Sequence, residues 1–276
     1  MKRVLALILL TGLLAACLGG CGSVNLLQKR LEEMKTERDN SIPLSTIQTQ
    51  PEPSAAPTES IPPQTQGFVT VEKEDLIIES ISVDREVDGV GYSFHVPQIN
   101  FSTPDVAYVN QEIMAVFGTV AQEALAAAEE GYSTGCYAVG WKICWYEDIF
   151  ALILYRCFDG DNTYYEVYNF DYTTGEQLDM IGFLSRLGLS EGEFYSRLTD
   201  AAEAAYRSYN SEEAMEGMED GAVIFARGLA WTLADENIYS CHMLYLDEAG
   251  QLHVILPIGS LAGAMAYERD LILPLD

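Results

Sequence analysis

Basic side chains are scarce in this chain of 276 residues: 15 Lys and Arg stand against 42 Asp and Glu, a formal net charge of −27 at pH 7. Nucleic acid, anionic membrane surfaces and anionic wall polymers are therefore poor partners, because like charge repels them. Histidine is scarcer still. His95, His242 and His253 are scattered, and neither His-x-x-x-His nor Cys-x-x-Cys occurs, so the usual sequence signs of a zinc site are missing. Gly-x-Ser-x-Gly is missing too. Gly259-Ser-Leu-Ala-Gly263 puts the serine one place early, and no nucleophile elbow is expected. With no catalytic constellation recognised, the expectation is a protein that is not an enzyme and needs no metal or cofactor.

Long apolar runs are absent as well. The one at the N-terminus, Val4 to Leu14, falls short of the roughly 20 residues of a spanning helix. It follows Lys2 and Arg3 and leads into two overlapping lipobox patterns, Leu14-Ala-Ala-Cys17 and Leu18-Gly-Gly-Cys21. This is the layout of a bacterial lipoprotein signal, cleaved before a cysteine that takes up lipid. Cys21, followed by Gly22 and Ser23, is the preferred lipidation site, and Cys17 is the alternative. The expected location is the outer face of the cytoplasmic membrane, lipid-anchored and extracellular. Residues 1–20 are thus read as signal peptide and 21–67 as a membrane-proximal segment and linker. Six of the ten prolines lie in residues 41–67, among Gln, Ser and Thr, as in an extended or disordered tether.

Residues 68–276 suit one domain with an ample core. Residues 1–67 balance six basic against six acidic side chains, which leaves nine basic and 36 acidic in the domain. Cys136, Cys144, Cys157 and Cys241 lie in this exported part, where disulfides are permitted. Cys136 and Cys144 share a strand and sit roughly 26 Å apart, too far to bond. A two-residue turn at Glu147-Asp148 sets Cys157 opposite Ala138 and diagonal to Cys136. Cys136–Cys157 is then the one bridge within reach of a small register change, and Cys144 is expected to stay a buried thiol.

The clearest helix starts at Thr103-Pro104 and carries Val106, Val109, Ile113, Val116, Val120 and Ala124 on one face. Residues 68–83 read as one or two strands, and 92–97 as another. Residues 136–145 alternate, with Tyr137, Val139, Trp141, Ile143 and Trp145 on one face. Phe150–Phe158, nearly all apolar, returns as a central strand, and residues 163–172 make a third. Ser190 and Glu193 form a capping box opening a second helix. Residues 222–234 read as helical. A hairpin of 239–247 with 252–257, a loop over 258–267 and a last strand over 270–275 close the chain. The expected fold class is α+β, a mainly antiparallel sheet with helices packed on one face.

The order of these motifs resembles a known family. Val-Pro97, the helix with Asn110-Gln-Glu-Ile113, a three-strand block closing on Asn169-Phe-Asp-Tyr-Thr-Thr-Gly175-Glu, and Tyr245-Leu-Asp-Glu-Ala-Gly250-Gln-Leu follow one another. They do so as in the extracellular domain shared by the lysozyme-sensing anti-sigma factor RsiV and the N-terminal part of the peptidoglycan deacetylase PdaC. The resemblance implies a non-catalytic binding or sensing module, here for a cell-wall component, a peptidoglycan-derived ligand or a basic, lysozyme-like wall-active protein. It also points to two loops. Where family members carry Gly-Ala-His-Gly, this chain reads Cys157-Phe-Asp-Gly-Asp161. In the late loop, Pro257 and Tyr267 stand where the sensor has its Pro- and Tyr-rich contact segment. Candidate ligand-binding residues are therefore Asp159, Asp161, Asn162, Pro257 and Tyr267. A wall-modifying hydrolase with a dispersed site, or a structural lipoprotein of a membrane complex, are the alternatives.

Overall fold

The structure is a computed structural model, and it describes residues 71–275 except 161, 212, 216–217 and 262–265. The segment expected to be a signal peptide, Cys17, Cys21 and the expected Pro-rich linker lie outside the described residues. Among the described residues, nine strands form two sheets. The larger holds β1 (Ile77–Val87), β2 (Val90–Ile99), β3 (Cys136–Tyr146), β4 (Ile149–Phe158), β5 (Asn162–Asp171) and β6 (Gln177–Leu178), in sequence order. The smaller holds β7 (Leu244–Leu246), β8 (Leu252–Gly259) and β9 (Ala266–Leu273).

The α+β class is as expected, but the large sheet is mixed. β2 and β3 run parallel, because the helical segment between them carries the chain back across the sheet before β3 begins. That segment is α1 (Pro104–Ile113), a π-helical turn (Met114–Gly118) and α2 (Thr119–Glu129). Thr103 caps α1, its hydroxyl accepting from the Val106 N–H, with Pro104 in the first turn. Val106, Val109 and Ile113 are buried as expected. Beyond them the core face passes through Phe117 and Ala121, and Val116 and Val120 are only partly buried. The π turn is the reason: the Thr119 N–H bonds the Met114 carbonyl five residues back. One extra residue turns the following face by about 100°.

Helices were expected on one face of one sheet; they are divided between two sheets. The α1–α2 segment packs with Phe94, Val96, Phe150, Leu152, Leu154 and Phe170 of the large sheet. α3 (Met180–Arg186), α4 (Glu191–Tyr209), α5 (Gly221–Thr232) and α6 (Asp235–Ile238) pack with the small sheet. The capping box is present: Ser190 Oγ accepts from the Glu193 N–H, and Glu193 Oε2 accepts from the Ser190 N–H. Phe194, Leu198, Ala202 and Tyr206 then meet Leu252, Val254, Leu256 and Leu271. Between the sheets, Ala151, Ile153 and Val167 face Met243, Tyr245 and Ile255. β4 is thus covered on both faces, which is why it reads as a continuous apolar run.

Glu147 and Asp148 do make a two-residue turn, and Ala138 does face Cys157. The cysteine expectation fails one step further on. A register shift between Cys136 and Ala138 pairs Cys136 with Phe158 and turns it to the helix-side core. Cys157, next to Phe158, points the other way, since a slip of one residue exchanges faces. All four described cysteines are free, and Cys144 is half-buried rather than enclosed. The terminal hairpin also differs. Residues 239–243 are not strand, because the Ala234 carbonyl opens the helical turn α6 by accepting from Asn237 and Ile238. Pro257 and Tyr267 belong to strands β8 and β9, not to the loop between them.

Candidate functional site

The two expected contact segments lie at neighbouring edges of the two sheets. Asp159 is exposed on the β4–β5 turn, and Asn162 opens β5, its amide donating to the Asp159 carbonyl at 3.2 Å. Asp161 lies outside the described residues. Pro257, half-buried, sits opposite Glu268 and its carbonyl accepts from Asn237. Tyr267 sits opposite Ile258, and the Arg269 guanidinium lies over its ring at 5.2 Å and over that of Tyr209 at 4.8 Å. Among the described residues, no hydrogen bond joins Asp159 or Asn162 to Pro257 or Tyr267.

What links these edges is Glu268. β6 pairs only with Asn169 and Phe170, so the first part of β5 lacks a strand partner on its outer side among the described residues. There the Tyr165 N–H donates to Glu268 Oε2 at 2.6 Å. Burial pushes the Glu268 carboxyl up to about 7, with repulsion from Glu166 adding to it; the Tyr165 bond and Arg156 oppose. Beside it, the Glu166 carboxylate, 3.8 Å from Nε2, raises the affinity of His242 for its proton. Farther into the space between the sheets, Lys142 Nζ donates to the Tyr245 hydroxyl at 2.9 Å, which donates to Asp270 at 2.6 Å. The other Asp270 oxygen meets His253 Nδ1 at 2.9 Å.

A second feature escaped the reading of the sequence. The parallel pair β2–β3 is joined only at Ser93–Ala138 and Phe94–Val139. The strands part beyond it and leave a cleft of about 250 Å3 lined by Glu79, Ser93, His95, Gly140, Trp141 and Tyr155. Gly140 lets the Tyr155 ring lie close, because a Cβ there would stand 2.4 Å from the ring and hydroxyl and displace them. The Glu79 carboxylate accepts from the Trp141 indole N–H at 3.2 Å and meets His95 Nδ1 at 3.2 Å. His95 Nε2 meets Asp84 at 3.3 Å, and the Ser93 hydroxyl donates to the same Asp84 oxygen at 2.7 Å.

Hydrogen bonds hold both carboxyls below their ordinary range, from Ser82 first and then His95 for Glu79, and from Ser93 first and then His95 for Asp84. His95 is raised, by Glu79 first and by Asp84 as well, against partial desolvation. The arrangement therefore presents two oriented carboxylates around one imidazole, with an indole and a phenol as walls. One available signal was the period-two spacing of Ser93 and His95, which puts both on one face of a strand. Tyr155 of the cleft wall neighbours the first region, its ring 6.3 Å from that of Tyr165. No model of a known protein family matches this chain, and comparison with curated proteins finds no match either.

Proposed function

We propose that residues 68–276 are a non-catalytic recognition module for a basic wall-active protein of the lysozyme type, held outside the cytoplasmic membrane by lipid on Cys21, with Cys17 as the alternative. The observation that carries this reading is an uncompensated excess of carboxylate. The domain has 36 acidic residues against nine basic ones, and several of the bases are engaged within the fold. Arg85 pairs with Glu129, Arg186 with Asp148 and Asp171, and Lys142 with Tyr245 and Asp270. Lys73 lies over the Trp145 ring and Arg269 over two tyrosines. The remaining negative field speeds encounter with a cation and is screened over roughly 8–10 Å at physiological ionic strength. Charge alone is unselective, so selectivity is assigned to the face that runs from the β4–β5 turn through Tyr165 and Glu268 to Tyr267.

The test is binding of a lysozyme at low and near-physiological salt, with an unrelated basic protein as control. Selective binding that persists in salt and weakens in Tyr267→Ala supports the module. Equal binding of both proteins, lost in salt, rejects it. A wall hydrolase is the second reading, because His95, Ser93 and carboxylates converge in the cleft. Against it, the Ser93 hydroxyl donates to Asp84 and not to the imidazole, and the serine that does meet the imidazole, Ser82 with its Oγ 3.4 Å from Nδ1, is not among the residues that line the cleft. Release of soluble fragments from purified wall by the protein would favour that second reading.

A further inference from the structure

We infer that the cleft between β2 and β3 receives the cationic end of a single arginine or lysine side chain. The inference rests on the proposed partner class for the source of that side chain, and on the cleft's own geometry for the rest. At about 250 Å3 the cleft is smaller than pockets for drug-sized ligands, and it matches the end of one long side chain. Its polar wall is the Glu79 carboxylate with the His95 ring, and a second carboxylate, Asp84, meets the other ring nitrogen from the exposed rim outside that lining. Glu79 is fixed by Trp141 and His95, and Asp84 by Ser93 and His95. Its other walls are the Trp141 and Tyr155 rings, against which an alkyl stem packs and a cation gains further attraction.

A titratable base already stands between these carboxylates. The His95 ring, with one nitrogen toward Glu79 and the other toward Asp84, occupies the position an incoming guanidinium or ammonium group would share. The charged groups facing it are Glu79 and Asp84, both from β1; Ser93, Trp141 and Tyr155 add no charge at neutral pH. Both carboxyls are held below their ordinary range and His95 above its own, so the protonated imidazole offsets one of two negative charges. As His95 loses its proton the site gains a net negative charge. Cation binding therefore strengthens as pH rises, whereas binding of a neutral sugar ring does not.

The test uses the full-length chain in detergent micelles and follows the indole signal of Trp141 by NMR, assigned through Trp141→Phe. The probes are N-acetyl-arginine amide, the neutral isostere N-acetyl-citrulline amide, and N-acetylglucosamine. The arginine probe is expected to shift the signal saturably and the citrulline probe not to. Glu79→Gln should weaken the arginine probe about tenfold, as for loss of one charge-assisted hydrogen bond. Affinity should rise about threefold between about pH 5.5 and pH 8.5, the size of a partly screened charge pair, and the rise should vanish in His95→Gln. Should Glu79→Gln fail to fold, Asp84→Asn, on the exposed rim, gives the same comparison. An equal response to citrulline, a response to N-acetylglucosamine alone, or no saturable shift overturns the inference. A lysozyme that binds wild type and Glu79→Gln equally, with a silent arginine probe, removes the inference and leaves the proposed module. An arginine probe that binds while no basic protein does leaves the cleft and removes the module.

Discussion

Glu268 Oε2, on β9 of the small sheet, accepts the backbone N–H of Tyr165, on β5 of the large sheet, at 2.6 Å. A strand edge that would otherwise present an open donor is thereby closed by a carboxyl from the other sheet. The closure puts that carboxyl out of water, and burial pushes it from 4.5 up to about 7. A folded-state value above the unfolded one means that the folded protein binds more protons between the two. The contribution is fully present below about pH 4.5 and is lost as pH rises through about 7. Wild type should therefore lose on the order of 2 kcal/mol over that window relative to Glu268→Gln, after allowance for partial exposure. Gln keeps an acceptor for Tyr165 and does not titrate. Urea unfolding of both proteins at several pH values checks this, and parallel pH profiles would contradict it.

Local chemistry made much of the fold legible. Thr103-Pro104 and the Ser190–Glu193 box announce their helices, because a cap is satisfied within three residues. The Glu147-Asp148 turn fixes the β3–β4 register for the same reason. What stayed hidden depends on distant pairing. Nothing in residues 244–273 says that they form a second sheet, since their alternation fits either. The cleft was illegible because Glu79, His95 and Trp141 meet only through strand neighbours that the helical crossover creates, and Trp141 reaches Glu79 across 62 residues. The lipid anchor expected from residues 14–21 falls outside the described residues.

The π turn gives a contrast between neighbours. Phe117 is fully buried in the helix-side core, and Val116, which plain helical spacing would bury, is only partly covered. Phe117→Ala should cost about 3–5 kcal/mol, as for a large core ring. Val116→Ala should cost about 1 kcal/mol, since little of its area leaves water. Denaturant titration of the two variants tests the register. Equal costs would mean that the helix continues without the extra residue.

The bulge at the start of β3 sets the thiol chemistry. Burial pushes the Cys136 thiol up to about 11 and that of Cys241 up to about 12. Thiolate, the reactive form, is therefore scarce at both in the folded protein near pH 8. Iodoacetamide should label neither without denaturant and both after unfolding. Non-reducing peptide mapping should recover Cys136 and Cys157 as separate free thiols. A Cys136–Cys157 disulfide would require both on one face and would remove the bulge.

The Tyr245 hydroxyl relays between Lys142 of the large sheet and Asp270 of the small one, accepting from the first and donating to the second. The direct Lys142–Asp270 approach is longer, at 3.9 Å, so the phenol makes the shorter contacts. The Tyr245 ring is buried and stacks on His253 at 4.7 Å between centroids. Tyr245→Phe keeps this ring and removes only the hydroxyl. It leaves Lys142 and Asp270 each short of one partner, which should cost about 1–3 kcal/mol. Lys142→Met breaks the same chain from the other end while keeping an apolar stem beside the ring. In a double-mutant cycle the second change should cost less once the first is made, because one chain of hydrogen bonds is lost, not two. Strict additivity would show that the phenol and the ammonium act independently, and that the sheets are held together by Ile153, Val167 and Ile255 without this relay.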